Sequence, residues 1–250
     1  MNRAADTVRA VVGVVGELAM TAGVVVLLFV VWELGYQGVV QSRTQAASVS
    51  GLEQRFRAAG SAPSTPSATS TPSATSTDST SAVPGDTQPA AGVPFAILRI
   101  PRLGGPSWSK PVLQGTGLDV LAQGIGHYVD TALPGQVGNL ALAGHRAGHG
   151  NPLIDIDAIR TGDVMVVETQ LAYYVYRVTG HEIVPPTRVQ VLDPVPNQPG
   201  AQPSMAQLTL TSCDPRYGST NRYIVYSLLE QAIPRTQGLP PGLLDDPNGA

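Results

Sequence analysis

The chain has 250 residues, which is enough for one or two domains, and it carries a net charge of −3 with only 13% charged residues. Binding of nucleic acid through a broad basic surface is excluded, because that needs clustered Lys and Arg, and no basic stripe occurs in the sequence. The lone cysteine, Cys213, excludes a disulfide within the chain and a cysteine-rich zinc site.

The histidines do not add a strong metal signal. His145 and His149 are four apart in HRAGH, but Gly150, Asn151 and Pro152 follow and oppose the helix that would place both rings on one face. No acidic loop of the EF-hand type occurs, so calcium dependence is not predicted. We therefore expect no metal and no cofactor.

The N-terminal part of the chain predicts a membrane anchor. Residues 10–32 read AVVGVVGELAMTAGVVVLLFVVW, which is long enough to cross a hydrocarbon core of about 30 Å. Glu17 at the centre of a span would cost roughly 3 kcal/mol, so we place the transmembrane helix at 18–38 and a short cytoplasmic N-terminus at 1–17. The alternative is a cleaved signal peptide, which would have a shorter apolar region and a small-residue cleavage site that is not evident here.

A linker is predicted at residues 39–92, of low complexity from residue 61. TPSATS occurs in tandem at 65–70 and 71–76, and Val83 is the only large aliphatic residue between 61 and 92. Such a segment cannot bury enough surface to offset its ordering entropy, so we expect it to be disordered. Ser/Thr/Pro-rich stalks are typical of extracytoplasmic proteins, which favours a single-pass chain with a cytoplasmic N-terminus and its folded domain outside. Arginines on both sides of the span leave the positive-inside rule indecisive.

Residues 93–233 are predicted to form a mainly β domain. Short apolar runs alternate with turn-forming residues, which indicates strands at FAILRIP, NLALAGH, DVMVVET, AYYVYRVT, HEIVPP, QLTLTSC and RYIVYSLL. LDVLAQGI and LIDIDAI are candidates for short helices. Seven or eight short strands in a domain of this length favour a closed or nearly closed β-barrel. Residues 234–250 are a Pro/Gly-rich C-terminal tail without a second apolar span.

Cys213 ends an apolar run and shares one strand face with Thr209 and Thr211. The turn formers DPRYGSTN follow, and Arg222 opens the next strand, so a hairpin would make Cys213 and Arg222 near neighbours. A nearby cation favours the reactive thiolate, and a guanidinium can donate to a developing oxyanion.

A nucleophilic cysteine also needs an acid/base partner, which is usually a histidine. His145 ends the apolar run NLALAGH, at the open end of a buried strand, and is the best candidate. His127 and His181 remain possible, whereas His149 lies in a polar loop where exposure is expected.

These residues resemble the sortase family. LAGHR at 142–146, TLTSC at 209–213 and Arg222 occur in the family's order, and the segments 95–104 and 126–146 are also similar to it. The resemblance covers residues 93–233 and implies an eight-stranded sortase-type β-barrel with short helices. It implies that Cys213 is the nucleophile, that His145 is the acid/base that protonates the leaving amine, and that Arg222 stabilises the oxyanion or positions the substrate. Tyr128 and Thr211 are candidate substrate-binding residues, with ordinary packing as the alternative.

The function implied by the resemblance is that of a membrane-anchored cysteine transpeptidase. Such an enzyme cleaves an LAxTG/LPxTG-type sorting signal of a secreted protein between Thr and Gly, and joins the protein to a peptidoglycan precursor amine through a thioacyl-enzyme. TLTSC followed by Asp-Pro most resembles the class E housekeeping sortases of high-GC Gram-positive bacteria, with Ser212 where the family often has Thr.

Three alternatives remain. A class C pilus-polymerising sortase would often carry a lid motif and a C-terminal span, and neither is seen in the sequence. A non-catalytic, membrane-tethered β-domain that binds a cell-wall partner would use Cys213 as core filler. An L,D-transpeptidase would need an HGC-type motif, which is missing from the sequence. In a papain-like peptidase the cysteine precedes its histidine, whereas Cys213 follows His145.

Overall fold

The computed structural model describes residues 3–60 and 88–247. Within them, eight strands close into a barrel in the order β1-β2-β3-β4-β7-β8-β6-β5, which confirms the predicted fold class. The pairs β2–β3 and β4–β7 are parallel, and the other pairs are antiparallel. The elements are α1 (Arg3–Gly60), β1 (Pro94–Arg99), β2 (Ser109–Gln114), α2 (Leu118–Leu121), β3 (Ile125–His127), β4 (Gly138–Ala143), β5 (Val164–Glu168), β6 (Ala172–Val184), β7 (Ala206–Asp214) and β8 (Asn221–Pro234).

Apolar side chains from the strands fill the barrel. Strand β4 is buried along its whole length and β7 over most of its length. Such burial is typical of strands that pair in parallel, as these two do. The core side chains are mostly branched aliphatic ones, together with Met165 and Tyr176, and include Leu98, Ile100, Val112, Ile125, Leu140, Leu142, Val167, Leu208, Leu210 and Val225.

The structure contains all seven predicted strand runs but divides them differently. AYYVYRVT and HEIVPP belong to the single long strand β6, which passes through Gly180 with an irregular register between Val178 and Gly180. Strands β2 and β3 were not predicted, because β2 contains Pro111 and β3 has only three residues. Of the two helical candidates, LDVLAQGI begins with α2, whereas LIDIDAI forms only a 3-10 turn at Ile156–Ala158.

The first half of α1 is apolar and exposed. Val11–Val30 is long and apolar enough to cross a membrane, and none of it is buried against the barrel. This stretch begins nearer the N-terminus than the predicted span 18–38, because apolar residues flank Glu17 on both sides. The helix already contacts the barrel near Gly38, which is where the predicted span ends.

The second half of α1 corrects the predicted linker. Residues 39–60 are helical, and Val49, Leu52 and Phe56 pack on Ile97 of β1. Their spacing of three and four puts them on one face of the helix, which is what buries them. The predicted disordered segment lies mostly at 61–87, outside the described residues.

The C-terminal tail also packs on the barrel. Leu239, Leu243 and Leu244 contact a small apolar cluster formed by Val166 and Val175, with Ile233 of β8. The tail predicted at 234–250 is therefore attached to the outer face of β5 and β6 over the part that is described, because its leucines bury there.

Candidate active site

The parallel pairing of β4 with β7 places His145 and Cys213 at the same edge of the barrel. Ala143 pairs with Thr211, and the Gly144 amide donates to the Thr211 carbonyl over 3.1 Å. His145 and Cys213 each lie two residues beyond that pair, on adjacent chain segments. Since paired strands are about 4.8 Å apart, the two side chains share one small region.

Arg222 lies on the other side of Cys213. The hairpin of β7 and β8 forms as predicted, with Cys213 paired to Arg222 in the ladder. Nη1 of Arg222 donates to the carbonyls of Ser219 and Asn221, at 3.0 and 2.9 Å, so the connecting loop holds the guanidinium. The register thus brings the three predicted residues together, with Cys213 in the middle.

A cleft of about 770 Å³ opens at this edge. Its walls are the segment after β4, the β7–β8 loop and the middle of α1. Its lining residues are Gly38, Gln41, His145, Arg146, Ala147, Gly148, His149, Asn151, Cys213, Arg216, Tyr217, Gly218 and Ser219. Cys213 is half-buried, so the thiol lies at the floor of an accessible groove.

A second cavity, of about 850 Å³, lies between the end of α1 and the C-terminal residues. Its charged side chains pair with one another, as in the contacts of Arg99 with Glu53 (2.7 Å) and Glu168 (2.9 Å). Cys213 and His145 do not line it. Although this cavity is the larger, the candidate catalytic residues Cys213 and His145 line the other cleft.

His145 is half-buried, and its ring nitrogen Nε2 has no hydrogen-bond partner among the described residues. Nε2 is buried and makes no hydrogen bond to any described residue. Burial lowers the pKa of His145, and the neighbouring His149 lowers it further. The two rings are stacked, with centroids 4.4 Å apart and planes inclined by 24°.

Arg146, next to His145, connects the strand that carries Cys213 to the residues around it. Its guanidinium is 3% exposed and forms ion pairs with Asp214 at 2.6 Å and Asp157 at 2.8 Å. Nη1 also donates to the Cys213 carbonyl over 3.5 Å, and the group lies 5.6 Å above the centre of the Tyr223 ring. These contacts hold the backbone of Cys213 in place.

Tyr128 and Thr211 contact each other, but neither lines the cleft. Their hydroxyls are 3.4 Å apart, and the buried Thr211 hydroxyl donates to the Leu142 carbonyl over 3.1 Å. Ser212 bridges in the same way, by donating to the Gly144 carbonyl over 2.8 Å. The hydroxyls of Thr211 and Ser212 thus link β7 to the β4 segment next to the cleft. A substrate-binding role for Tyr128 and Thr211 stays a prediction.

The other two histidines have structural surroundings. His127 is fully buried, with Nδ1 2.7 Å from the Gln114 amide oxygen and Nε2 3.1 Å from the Ala132 carbonyl. Burial lowers the pKa of His127. His181 stacks on Tyr223 with ring centroids 5.6 Å apart.

The sequence reasoning missed Arg146 and His149. Both follow the predicted acid/base residue in HRAGH. The exposure expected for His149 is confirmed, and Arg146 entered only as part of LAGHR, because the contacts of both side chains come from residues far away in the sequence.

Comparisons with known proteins agree with this geometry. A family profile described as "Sortase domain" matches residues 98–230. Sortase SrtE1 of Streptomyces coelicolor is 35% identical over 92% of this chain, and the match spans 60% of that protein's length.

Two solved structures are similar as well. The structure of sortase E from Streptomyces avermitilis is 43% identical, with a TM-score of 0.56, and the match covers 62% of this chain and 99% of that one. Sortase E1 from Streptomyces coelicolor, crystallised with a tripeptide in the active site, is 38% identical with a TM-score of 0.55, and the match covers 61% of this chain and 97% of that one. Each match thus covers about three fifths of this chain and nearly all of the other.

Proposed function

The chain belongs to the sortase family, and from this premise we propose that it is a membrane-anchored cysteine transpeptidase. It cleaves an LAxTG/LPxTG-type sorting signal between Thr and Gly and joins the secreted protein to a peptidoglycan precursor amine. The observation that carries the proposal is the position of Cys213, which lines an open cleft together with His145 and pairs with Arg222 across the β7–β8 ladder, although Arg222 does not line the cleft.

In the first step the Cys213 thiolate attacks the carbonyl carbon of the threonine. The C–N bond to glycine breaks, and protonated His145 gives its proton to the leaving amine. In the second step the neutral amine of the acceptor attacks the thioester. The C–S bond breaks, the thiolate leaves, and the proton of the amine passes to His145.

Arg222 supplies positive charge beside the nucleophile. It is held by the carbonyls of Ser219 and Asn221, so its orientation is set before substrate binds. A preorganised donor stabilises an oxyanion more than a mobile one, because no reorganisation is needed during the reaction.

The signal we propose is of the LAxTG type. Support comes from sequence identity of 34–35% to two sortases of the E type, SrtE1 and SrtE2 of Streptomyces coelicolor. The tripeptide in the active site of the related sortase E1 supports a peptide substrate for the same cleft. The apolar helix Val11–Val30 supports membrane anchoring. The orientation we propose has the N-terminus in the cytoplasm and the barrel outside, as the Ser/Thr/Pro-rich stalk favours.

The test uses the full chain in detergent and two fluorogenic peptides that differ only as LAxTG and LPxTG, with a soluble primary amine as acceptor. We expect cleavage with transfer to the amine, and a faster reaction with LAxTG. Cys213→Ala and His145→Asn should each lower kcat/KM by at least about 10³-fold, since the residues of such a unit act together. His181→Asn, a histidine outside the cleft, is the matched control and should retain activity.

Cleavage that persists in Cys213→Ala would contradict the proposal. If neither peptide is cleaved and Cys213 also resists alkylation in the folded chain, the β-domain is instead a non-catalytic binding module. A preference for LPxTG would retain the transpeptidase and reject the LAxTG assignment.

A further inference from the structure

We propose that His149 is a positioning residue of the site and that α1 holds it against His145. The inference rests on the proposed function, in which His145 transfers the proton, and it adds a role for the membrane-proximal helix. His149 does not touch the reacting atoms on this account. It acts through the ring of His145.

The loop after β4 folds back so that the two rings overlap. His149 and Asn151 both have φ of 50°, an unusual left-handed conformation for residues other than glycine. The Asn151 side-chain oxygen accepts from the Gly148 amide over 2.6 Å, and the Leu153 amide donates to the His145 carbonyl over 3.0 Å. Sparsely populated backbone conformations persist only where the surroundings enforce them, and here they bring His149 onto His145.

Two glutamines of α1 hold His149 in that position. The Gln41 amide lies 3.2 Å from Nδ1 of the His149 ring, and Gln45 donates to the His149 carbonyl over 3.0 Å. Gln45 is 1% exposed, and its oxygen accepts from Lys110 of β2 over 3.2 Å. The helix therefore contacts both the ring and the backbone of His149, and the barrel fixes the helix at the same point.

The fit of helix and loop is close at Gly150. It has φ of 77°, and an added Cβ would lie 3.2 Å from the backbone nitrogen and hydroxyl of Ser42 and from the Gln45 amide. A side chain at residue 150 would therefore strain the loop and push α1 away. Glycine there permits the approach on which the contacts of Gln41 and Gln45 depend.

The stack with His149 has two effects on His145. It limits rotation of the His145 ring, whose Nε2 is buried and makes no hydrogen bond to a described residue. The charge of His149, when protonated, also disfavours a proton on His145, in the direction of its lowered pKa.

The other groups that face His145 define the electrostatic setting. Arg146 is neutralised by its two aspartates, and α1 presents the uncharged Gly38 and Gln41 to the cleft. The titratable or charged residues of the cleft, besides His145 itself, are Arg146, His149, Cys213, Arg216 and Tyr217. Of these, His149 is the one whose ring stacks on His145.

The experiment compares His149→Asn and Gln41→Ala with wild type, all as full chains in detergent. We expect His149→Asn to lower kcat by about tenfold with KM nearly unchanged, because a catalytic group that is slightly misplaced reacts more slowly. Gln41→Ala should change kcat in the same direction by less. Gln54→Ala, an exposed glutamine of the same helix, is the matched control and should behave as wild type.

The proton affinity of His145 gives a readout that does not depend on turnover. The chain has four histidines, so selective isotope labelling allows the His145 ring to be titrated by NMR. Removal of His149 takes away an influence that lowers the pKa of His145, so the titration should move to higher pH in His149→Asn. The limb of the kcat/KM–pH profile that follows His145 should move in the same direction.

The results separate the two proposals. If Cys213→Ala abolishes cleavage while His149→Asn leaves both kcat and the His145 titration unchanged, the positioning role is wrong and the proposed function stands. If wild type cleaves no peptide, the proposed function fails. The positioning role rests on that function and fails with it, and the His145 titration then reports only whether the two rings are in contact.

Discussion

Arg146 shows how one side chain joins three segments around Cys213. It follows His145, is almost fully buried, and pairs with Asp157 and with Asp214, which directly follows Cys213. A buried cation is stable only when its charge is compensated, and here two carboxylates and the face of Tyr223 provide that compensation. The residue links the loop of the acid/base histidine to the strand of the cysteine.

Replacement of Arg146 by methionine should therefore destabilise the chain. The two aspartates lose their partner, and we expect the free energy of unfolding to fall by roughly 3 kcal/mol, the lower end for a broken buried pair, because Asp157 is 42% exposed. Arg177→Met removes a pair whose side chains are 45% and 48% exposed, and it should cost less than about 1 kcal/mol. Denaturant unfolding of both variants checks this, and equal losses would contradict a special role for Arg146.

At the scale of elements, α1 belongs to the folded domain over its second half. Leu52 is 1% exposed and lies with Val49 and Phe56 against Ile97, next to the ion pair of Glu53 with Arg99. Burial of these apolar side chains, rather than helix propensity, stabilises this part of the helix. The same docking brings Gln41 and Gln45 into contact with His149.

Truncation of the docking face should loosen the helix from the barrel. Leu52→Ala removes a buried side chain and should lower the free energy of unfolding by about 2–4 kcal/mol. Val39→Ala, on the same helix but 51% exposed, should change it by less than about 0.5 kcal/mol. Thermal unfolding of the full chain measures both, and a Leu52→Ala melting temperature equal to that of wild type would show that the docking contributes nothing.

At the scale of the whole molecule, α1 connects the cleft to the stretch that is long and apolar enough to cross a membrane. Gly38 lines the cleft, and the apolar stretch ends at Val30 on the same helix, roughly 12 Å away at about 1.5 Å per residue. Phe56 lies about 27 Å beyond Gly38 along the helix, where it lines the second cavity with Thr236. We therefore predict that, in a membrane spanned by Val11–Val30, the cleft lies at the membrane-facing end of the barrel.

Fluorescence quenching in lipid vesicles tests this orientation. In a Cys213→Ala background, a fluorophore on Tyr217→Cys at the cleft should be quenched strongly by spin-labelled headgroups. The same fluorophore on Thr236→Cys, beside the far end of α1, should be quenched weakly. Both positions are exposed, so labelling should not disturb the fold. Equal quenching, or the reverse order, would contradict the orientation.

Features built from neighbouring residues could be predicted from the sequence. The apolar helix, most strands and the pairing of Cys213 with Arg222 depend on local patterns, because periodicity and turn formers act over short distances. The position of His145 beside Cys213 was predicted from the order of motifs, and the parallel register of β4 and β7 places both at one edge.

The sequence by itself thus determined the apolar N-terminal helix, the β-rich barrel and the likeness of LAGHR, TLTSC and Arg222 to the motifs of the sortase family. Only the tertiary structure decided that residues 39–60 dock as a helix, that Arg146 pairs with Asp157 and Asp214, and that His149 stacks on His145. The physical reason is that each of these depends on surfaces far apart in the chain. The spacing of Val49, Leu52 and Phe56 does not indicate that they pack on Ile97. Likewise, the position of Arg146 beside His145 does not indicate which carboxylates it pairs with, because those partners come into contact only when the barrel folds.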